Sequence, residues 1–339
     1  MNTSDIKLLR ELVKSVGLSG YNEKSASIFF REANKVNAEY GIDSLGSVSA
    51  KIKASPNRIN HYQTKNIMLC SHQDVIGYMV KDFNKDGTIE IISGSEIIAN
   101  GEQGIIETKS GNIDALLYSS DDEEKDGKPR AEIIDTDTNY IDKINIGDLV
   151  YFTPYLDEKP RGKLTGTFLD NKSGNFVLIK TMQELVRKEC YLHHNFFFVL
   201  PTYEETTGFG SKAASEKIRP MLAINVDVFP YDDRKNIGKG PVITLGFNFN
   251  KKLNEFAIKV AKDIKIPYQL GVYPGWAECD ADHIIPTNGG TPCIDISIPT
   301  TNLHSPREVI SKADIDRTIK LLVNIIKRID EVSSLVMEV

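Results

Sequence analysis

Asn66-Ile67-Met68-Leu69-Cys70-Ser71-His72-Gln73-Asp74-Val75-Ile76-Gly77-Tyr78-Met79-Val80 is the stretch on which the fold turns. Its apolar run, 67–70, is short and continuous, the pattern of a buried strand. Directly after it, His72 and Asp74 alternate with Gln73. Ligands of α/β sheets bind beyond strand ends, so an imidazole and a carboxylate stand where chemistry is expected. Alone the pair decides little. His72 suits a metal, and Asp74 suits either a group that orients another side chain or a turn cap.

Upstream, Ile6, Leu9, Leu12 and Val13 recur at helical spacing over 4–14, with Asp5 near the start. Gly17 to Gly20 ends that pattern, 22–38 reads as a second helix, and 41–52, around Gly46, reads as a hairpin edge. Downstream of Tyr78 the texture changes. Residues 80–158 carry short β-like runs (88–92, 104–108, 131–134 and 148–153) with many Gly, Asp and Lys residues and little helical period. Within them 121–127 reads as a solvated acidic loop. Alternation of helix and strand resumes near Lys163: a helix over 176–189, a strand over 195–200, another over 221–228, a helix over 253–261, a strand over 291–298 and a long amphipathic helix over 314–336 bearing Ile319, Leu322, Val323 and Ile326. The expected fold is α/β, a central mixed sheet flanked by helices, with a small β-barrel-like domain inserted at 79–159 and a catalytic domain made of 1–78 and 160–339.

The chain of 339 residues is long enough for such a pair of cores. With 41 basic and 47 acidic side chains its formal charge is −6, and no basic block argues for nucleic acid or an anionic membrane as partner. Four scattered cysteines (Cys70, Cys190, Cys279, Cys293) lack zinc-knuckle spacing and point to a reducing compartment. No secretory signal opens the sequence and no run reaches the roughly 18 apolar residues of a membrane span. A cytoplasmic protein is the expectation.

Five polar clusters lie at or just beyond strand-like runs: His72 and Asp74, Asp170, Glu204 and Glu205, Asp227, and His304. Imidazoles with carboxylates are ligands for zinc, cobalt or manganese. Two ions need about three protein ligands each, one of them shared, and His72, Asp170, Glu205, Asp227 and His304 supply that number. Glu204 and Asp74 remain, one to accept a proton and one to fix an imidazole. Each residue has a plainer reading. Asp170 fits a helix cap and His304 a loop hydrogen bond. The paired glutamates after an apolar strand argue for a compensating cation, and Asp227 within an apolar run needs a partner. His193 and His194 precede their strand and so belong to its other end. His61 has no clear role, and Asp280 and Asp282 near His283 could support the site from behind.

These residues resemble the tetrahedral-particle aminopeptidases, the glutamyl aminopeptidase family of di-metal peptidases. The resemblance runs over essentially the whole chain: His72-Gln73-Asp74 with Ile76-Gly77, Leu169-Asp170-Asn171 with Gly174, Glu204-Glu205 with Gly208, Asp227, Gly238-Lys239-Gly240-Pro241-Val242, Ile266-Pro267-Tyr268-Gln269, and Ile298-Pro299-Thr300 leading to His304-Ser305-Pro306 and Glu308. The gap from His72 to Asp170 also matches that family's β-domain insertion. The resemblance implies a zinc-exopeptidase-like catalytic domain and two divalent ions per subunit. It places His72 and Asp227 on one ion, Glu205 and His304 on the other, and Asp170 between them. Glu204 is then the general base, and Asp74 orients His72. It further implies short peptides as substrates and self-association into dimers that build a dodecameric tetrahedral shell, with the β domain serving contacts and access. Three segments depart from the usual pattern. Thr301-Asn302 stands where Arg-Tyr is usual, Glu278-Cys279-Asp280-Ala281 replaces Gly-Thr-Asp-Ala, and Thr206-Thr207-Gly208-Phe209-Gly210 replaces Val-Gly-Leu-Arg-Gly. They bear on substrate preference and assembly rather than on the ligand set. The competing functions are a metal-dependent amidohydrolase or deacylase on a non-peptide substrate, and a non-catalytic peptide-binding protein. A glycosidase would need two unmetallated carboxylates flanking a sugar, which these His-neighboured acids do not offer.

Overall fold

The computed structural model describes residues 1–55, 64–118, 128–134 and 140–332. The acidic loop at 121–127, His61 and the end of the last helix lie outside those residues.

Strand β3 (Asn66–Cys70) lies near the centre of a nine-stranded sheet. Ile67 and Leu69 face one hydrophobic core while Met68 and Cys70 face another, which is why its sequence is apolar without alternation. Before it come α1 (Thr3–Lys14), α2 (Glu23–Asn34) and the antiparallel pair β1 (Glu39–Ile42) and β2 (Val48–Ile52). The helix expected over 22–38 ends at Asn34, and Asn37 takes a positive φ of 52°.

After β3 the chain leaves the sheet and closes a six-stranded antiparallel barrel in the order β4-β5-β8-β7-β6-β9. The strands are β4 (Tyr78–Phe83), β5 (Ile89–Ile92), β6 (Asn100–Thr108), β7 (Gly111–Tyr118), β8 (Arg130–Ile133) and β9 (Leu149–Phe152). Val80, Ile89, Ile91, Ile106, Ala115, Leu117 and Val150 belong to its own core. Closure leaves no edge strand unpaired. A small sheet follows, β10 (Leu156–Lys159) with β11 (Lys163–Gly166), and leads into α3 (Leu169–Arg187).

The remainder supplies β12 (Asn195–Leu200), α4 (Phe209–Ile218), β13 (Leu222–Asn225), β14 (Val228–Pro230), β15 (Val242–Leu245), α5 (Lys251–Asp263), β16 (Gln269–Val272), α6 (Asp280–Ile284), β17 (Cys293–Thr300), β18 (Glu308–Ser311) and α7 (Lys312–Lys327). The large sheet runs β1-β2-β12-β3-β13-β17-β15-β16, with β14 beside β17. β12, β3, β13 and β17 are mutually parallel neighbours, so their C-terminal ends share one edge. α1, α2, α3, α5 and α7 contribute to the core on one face, α4 and α6 to that on the other. The single strand expected over 221–228 is broken: β13 stops at Asn225, β14 starts at Val228, and Asp227 sits in the gap.

Candidate active site

Four parallel strands deliver the site. β3 ends at Cys70 and leads to His72 and Asp74; β12 ends at Leu200 and leads to Glu204 and Glu205; β13 leads to Asp227; β17 leads to His304. Asp170 comes from the first turn of α3. All seven residues singled out in the sequence therefore meet at one sheet edge, the place where α/β sheets bind ligands.

The Asp170 carboxylate is at the centre. Its Oδ1 lies 3.1 Å from His72 Nε2 and its Oδ2 lies 3.6 Å from His304 Nε2. Asp227 Oδ1 and Glu204 Oε2 are each 3.6 Å from His72 Nε2, and Glu205 Oε2 is 3.6 Å from His304 Nε2. Ligand atoms of His72, Asp170 and Asp227 lie within 4.8 Å of one another, as do those of Asp170, Glu205 and His304. Asp170 is no helix cap: its main-chain N–H donates to Glu308 Oε2 at 3.1 Å while its side chain faces the imidazoles.

Asp74 acts on two neighbours. Its main-chain carbonyl lies 3.1 Å from His72 Nδ1, with Oδ1 at 3.8 Å. The carboxylate accepts Ser19 Oγ–H at 2.7 Å and the main-chain N–H groups of Glu204 at 3.3 Å and Glu205 at 3.2 Å. The turn bearing those glutamates closes where Thr207 and Gly208 N–H donate to Tyr203 O. Gly208 has φ +67°, and a Cβ there would come within 1.9 Å of the His283 ring, so the turn needs glycine on both counts.

The electrostatics follow from burial. Desolvation pushes the Glu205 carboxyl up to about 8, with Asp170 adding to it. Glu204 is driven well above the carboxylate range by burial and by Asp227 and Glu205, and Asp227 is raised by burial and Asp170. Burial works against ionisation of Asp170 too, yet His304 and His72 hold its carboxyl well below the usual range. Burial likewise opposes the charging of His304, but Asp170 and Glu205 raise it to about 10. Crowded carboxylates in a low-dielectric pocket repel one another and call for a cation. Glu205 Oε1 is buried without a hydrogen-bond partner among the described residues and so is free to meet a cation. A set of two imidazoles and three carboxylates therefore fits a pair of divalent ions.

Three further residues support the site, of which Asn171 alone fell within a motif read from the sequence. Asn171 Nδ2 donates to Asp227 Oδ1 at 2.8 Å, and Asn175 Nδ2 donates to the His72 carbonyl at 2.6 Å. Lys172, fully buried, donates to Ser25 Oγ and Gln73 O, each at 2.6 Å, and fixes the backbone between His72 and Asp74. The clue is the run Asn171, Lys172, Ser173, Asn175, polar yet wholly buried in α3. The other histidines lie elsewhere. His193 and His194 face Asp330 at the opposite sheet edge, at 3.4 and 3.1 Å. His283 packs edge-on against Trp276 in the cavity wall. Asp282 accepts Ala277 N–H at 2.6 Å and so shapes that wall.

The cluster lies in a cavity of about 720 Å³. One wall comes from Gly94, Ser95 and Glu96, between β5 and β6 of the barrel. That barrel segment is hydrogen-bonded to the site: Ser95 Oγ donates to the Glu205 carbonyl, and Ile98 N–H donates to the His304 carbonyl at 3.1 Å.

Residues 53–321 match the M42 glutamyl aminopeptidase family. Lysyl aminopeptidase of Pyrococcus furiosus is 28% identical over 94% of this chain and 95% of its own. Among solved structures, a TET aminopeptidase from a marine sediment archaeon of the Thaumarchaeota superposes with a TM-score of 0.89 at 23% identity, covering 98% of this chain and 100% of that one. The Pyrococcus horikoshii TET1 peptidase, which can assemble into a tetrahedron or a large octahedral shell, gives a TM-score of 0.79 at 21% identity over 95% of this chain and 99% of its own. With the family match spanning most of the sequence, this chain belongs to the M42 glutamyl aminopeptidase family and is a peptide hydrolase.

Proposed function

We propose that this chain is a di-metal aminopeptidase that removes N-terminal residues from short peptides, with Glu204 as general base. The observation that carries the reading is the Asp170 carboxylate, which turns one oxygen to each of two imidazoles. That arrangement suits a ligand shared by two cations. His72 and Asp227 would hold one ion, Glu205 and His304 the other, and Asp170 both; the donors suit zinc, cobalt or manganese. When bound, such ions supply Lewis-acid polarisation of the scissile carbonyl and increase the acidity of water.

The protein's own groups account for the rest. Glu204 Oε2, beside His72 Nε2 at 3.6 Å, accepts the proton of the attacking water and returns it to the leaving amine. Asp74 holds the backbone of both glutamates and, through its carbonyl, the His72 ring, so base and ligands keep a fixed relation. Self-association extends the reading. Dimers combining into a dodecameric shell, with the barrel at the contacts, would admit short peptides and exclude folded chains.

The decisive experiment offers the zinc-, cobalt- or manganese-loaded protein free and N-acetylated short peptides and counts bound metal. Release of the first residue alone, from free peptides only, with about two ions per chain and loss on chelation, is expected. Preference for acetylated substrates would reassign the protein to the deacylases. A metal-loaded protein that cleaves neither would overturn the reading.

A further inference from the structure

Beyond the ligand cluster the cavity reaches a second buried carboxylate. Asp295 sits within β17, opposite Asn225 of β13 and Thr244 of β15. It is only 4% exposed, yet it lines the cavity. Asn225 Nδ2 donates to its Oδ1 at 3.1 Å; Thr244 Oγ and Ser297 Oγ donate to its Oδ2, the latter at 2.6 Å. All three donors are neutral, so they orient the carboxylate without cancelling its charge. A carboxylate has about four lone-pair positions, which leaves one on Oδ1 for a further donor. Burial and the nearby Asp227 hold this group up to about 7, as expected of an acid lacking a positive neighbour.

The cavity that Asp295 lines also carries the aromatic side chains Phe229, Tyr273 and Trp276, and the exposed Glu96 and Glu278 add negative charge to its lining. No lysine or arginine lines the cavity among the described residues. Asp227 lies two residues beyond Asn225, the cross-strand partner of Asp295. Because β13 and β17 run parallel, Asp295 lies further back from the sheet edge than Asp227 does.

Resting on the aminopeptidase reading above, we propose that Asp295 determines specificity: it closes the pocket for the first side chain of the substrate and selects peptides that begin with lysine or arginine. The aliphatic stem packs between the aromatic walls, and the cationic head meets the oriented carboxylate in a charge-assisted hydrogen bond. Acidic first residues are repelled, and neutral side chains of equal length leave the charge on the carboxylate without a cationic partner.

Lysine and norleucine isolate the effect, because they share a four-carbon stem and differ in the ammonium. The metal-loaded protein should hydrolyse lysinamide with kcat/KM at least about tenfold above norleucinamide, with glutamic acid amide poorest. Asp295→Asn, close in size, should lower the lysine-to-norleucine ratio by about tenfold or more. A second readout needs no hydrolysis. Trp276 is the chain's single tryptophan and lines the cavity, so its fluorescence reports titration with free lysine and free norleucine. Tighter lysine binding by the native protein, lost in Asp295→Asn, is expected. Equal binding of the two amino acids, or an equal loss of both in the variant, would overturn the assignment. Should Asp295→Asn fail to fold, as judged by circular dichroism, the native lysine–norleucine comparison decides alone. Selective lysine binding by a protein that cleaves nothing would refute the aminopeptidase reading and still support this pocket.

Discussion

Glu204 and Glu205 are neighbours in sequence but face different partners, His72 and His304 respectively. If Glu204 is the base, Glu204→Gln keeps its size and leaves metal content near normal while kcat/KM falls by roughly 10²–10⁴. Glu205→Gln should instead deplete one ion, read by elemental analysis. Unchanged activity in Glu204→Gln would refute its role. Proton competition adds a further expectation. Glu205 is pushed up to about 8 in the metal-free protein, so below that pH a cation must displace its proton. Apparent zinc affinity should therefore fall as pH drops from 8 to 6, by up to about tenfold per unit for this group. Equilibrium dialysis measures this, and tighter binding at pH 6 would exclude Glu205 as a ligand. At this scale the ligand candidates were legible because each lies at or just beyond a strand-like run. Lys172 and Asn175 were not: they precede the helix read over 176–189, and a polar residue there gives no sign of facing a buried strand end.

Strand ends account for the placement of chemistry, and helix ends for its support. Asp314, in the first turn of α7, accepts the main-chain N–H groups of Gly238 at 2.6 Å and Gly240 at 2.7 Å. Gly240 has φ +105°, and a Cβ there would meet the Pro267 carbonyl at 1.8 Å, so this turn tolerates little adjustment. Asp314→Ala would leave two N–H groups without their acceptor and should destabilise the fold by about 3 kcal/mol, seen as a lower urea midpoint with an unchanged m-value. Loss under 0.5 kcal/mol, roughly that of a neutral surface change, would show that water replaces the carboxylate. The helical period and the apolar strands were readable because each is a local pattern. The break at Asp227 was not: Val226 and Val228 flank it with strand-like residues, and the interruption follows from tertiary demands, with Asn171 holding the Asp227 carboxylate. Strand order was hidden as well, since β2 joining β12 and β15 opposing β17 are long-range pairings.

For the whole molecule, the proposed self-association assigns the barrel a role beyond one chain. Ile92, Ile98 and Ile146 on or beside its strands are 51%, 58% and 68% exposed, apolar groups that a neighbouring copy would cover. Light scattering on the purified protein should give the mass of a dodecamer or of its constituent dimers. Ile146→Asp and Ile92→Asp together should shift that mass downward while leaving the circular dichroism spectrum intact. A stable native monomer would refute self-association. The sequence announced the barrel by its composition, through short β-like runs without helical period, but the order in which its strands close depends on which edges meet.

The barrel loop between β5 and β6 grips the Glu205 and His304 carbonyls, and this makes the insertion a lever. Force applied to the barrel by a neighbouring subunit would arrive one hydrogen bond away from Glu205 and His304, the two residues proposed for one ion. Were copies of this chain to pack through the barrel, assembly and turnover would be mechanically linked, and a seated subunit would not need to work at the same rate as one adrift.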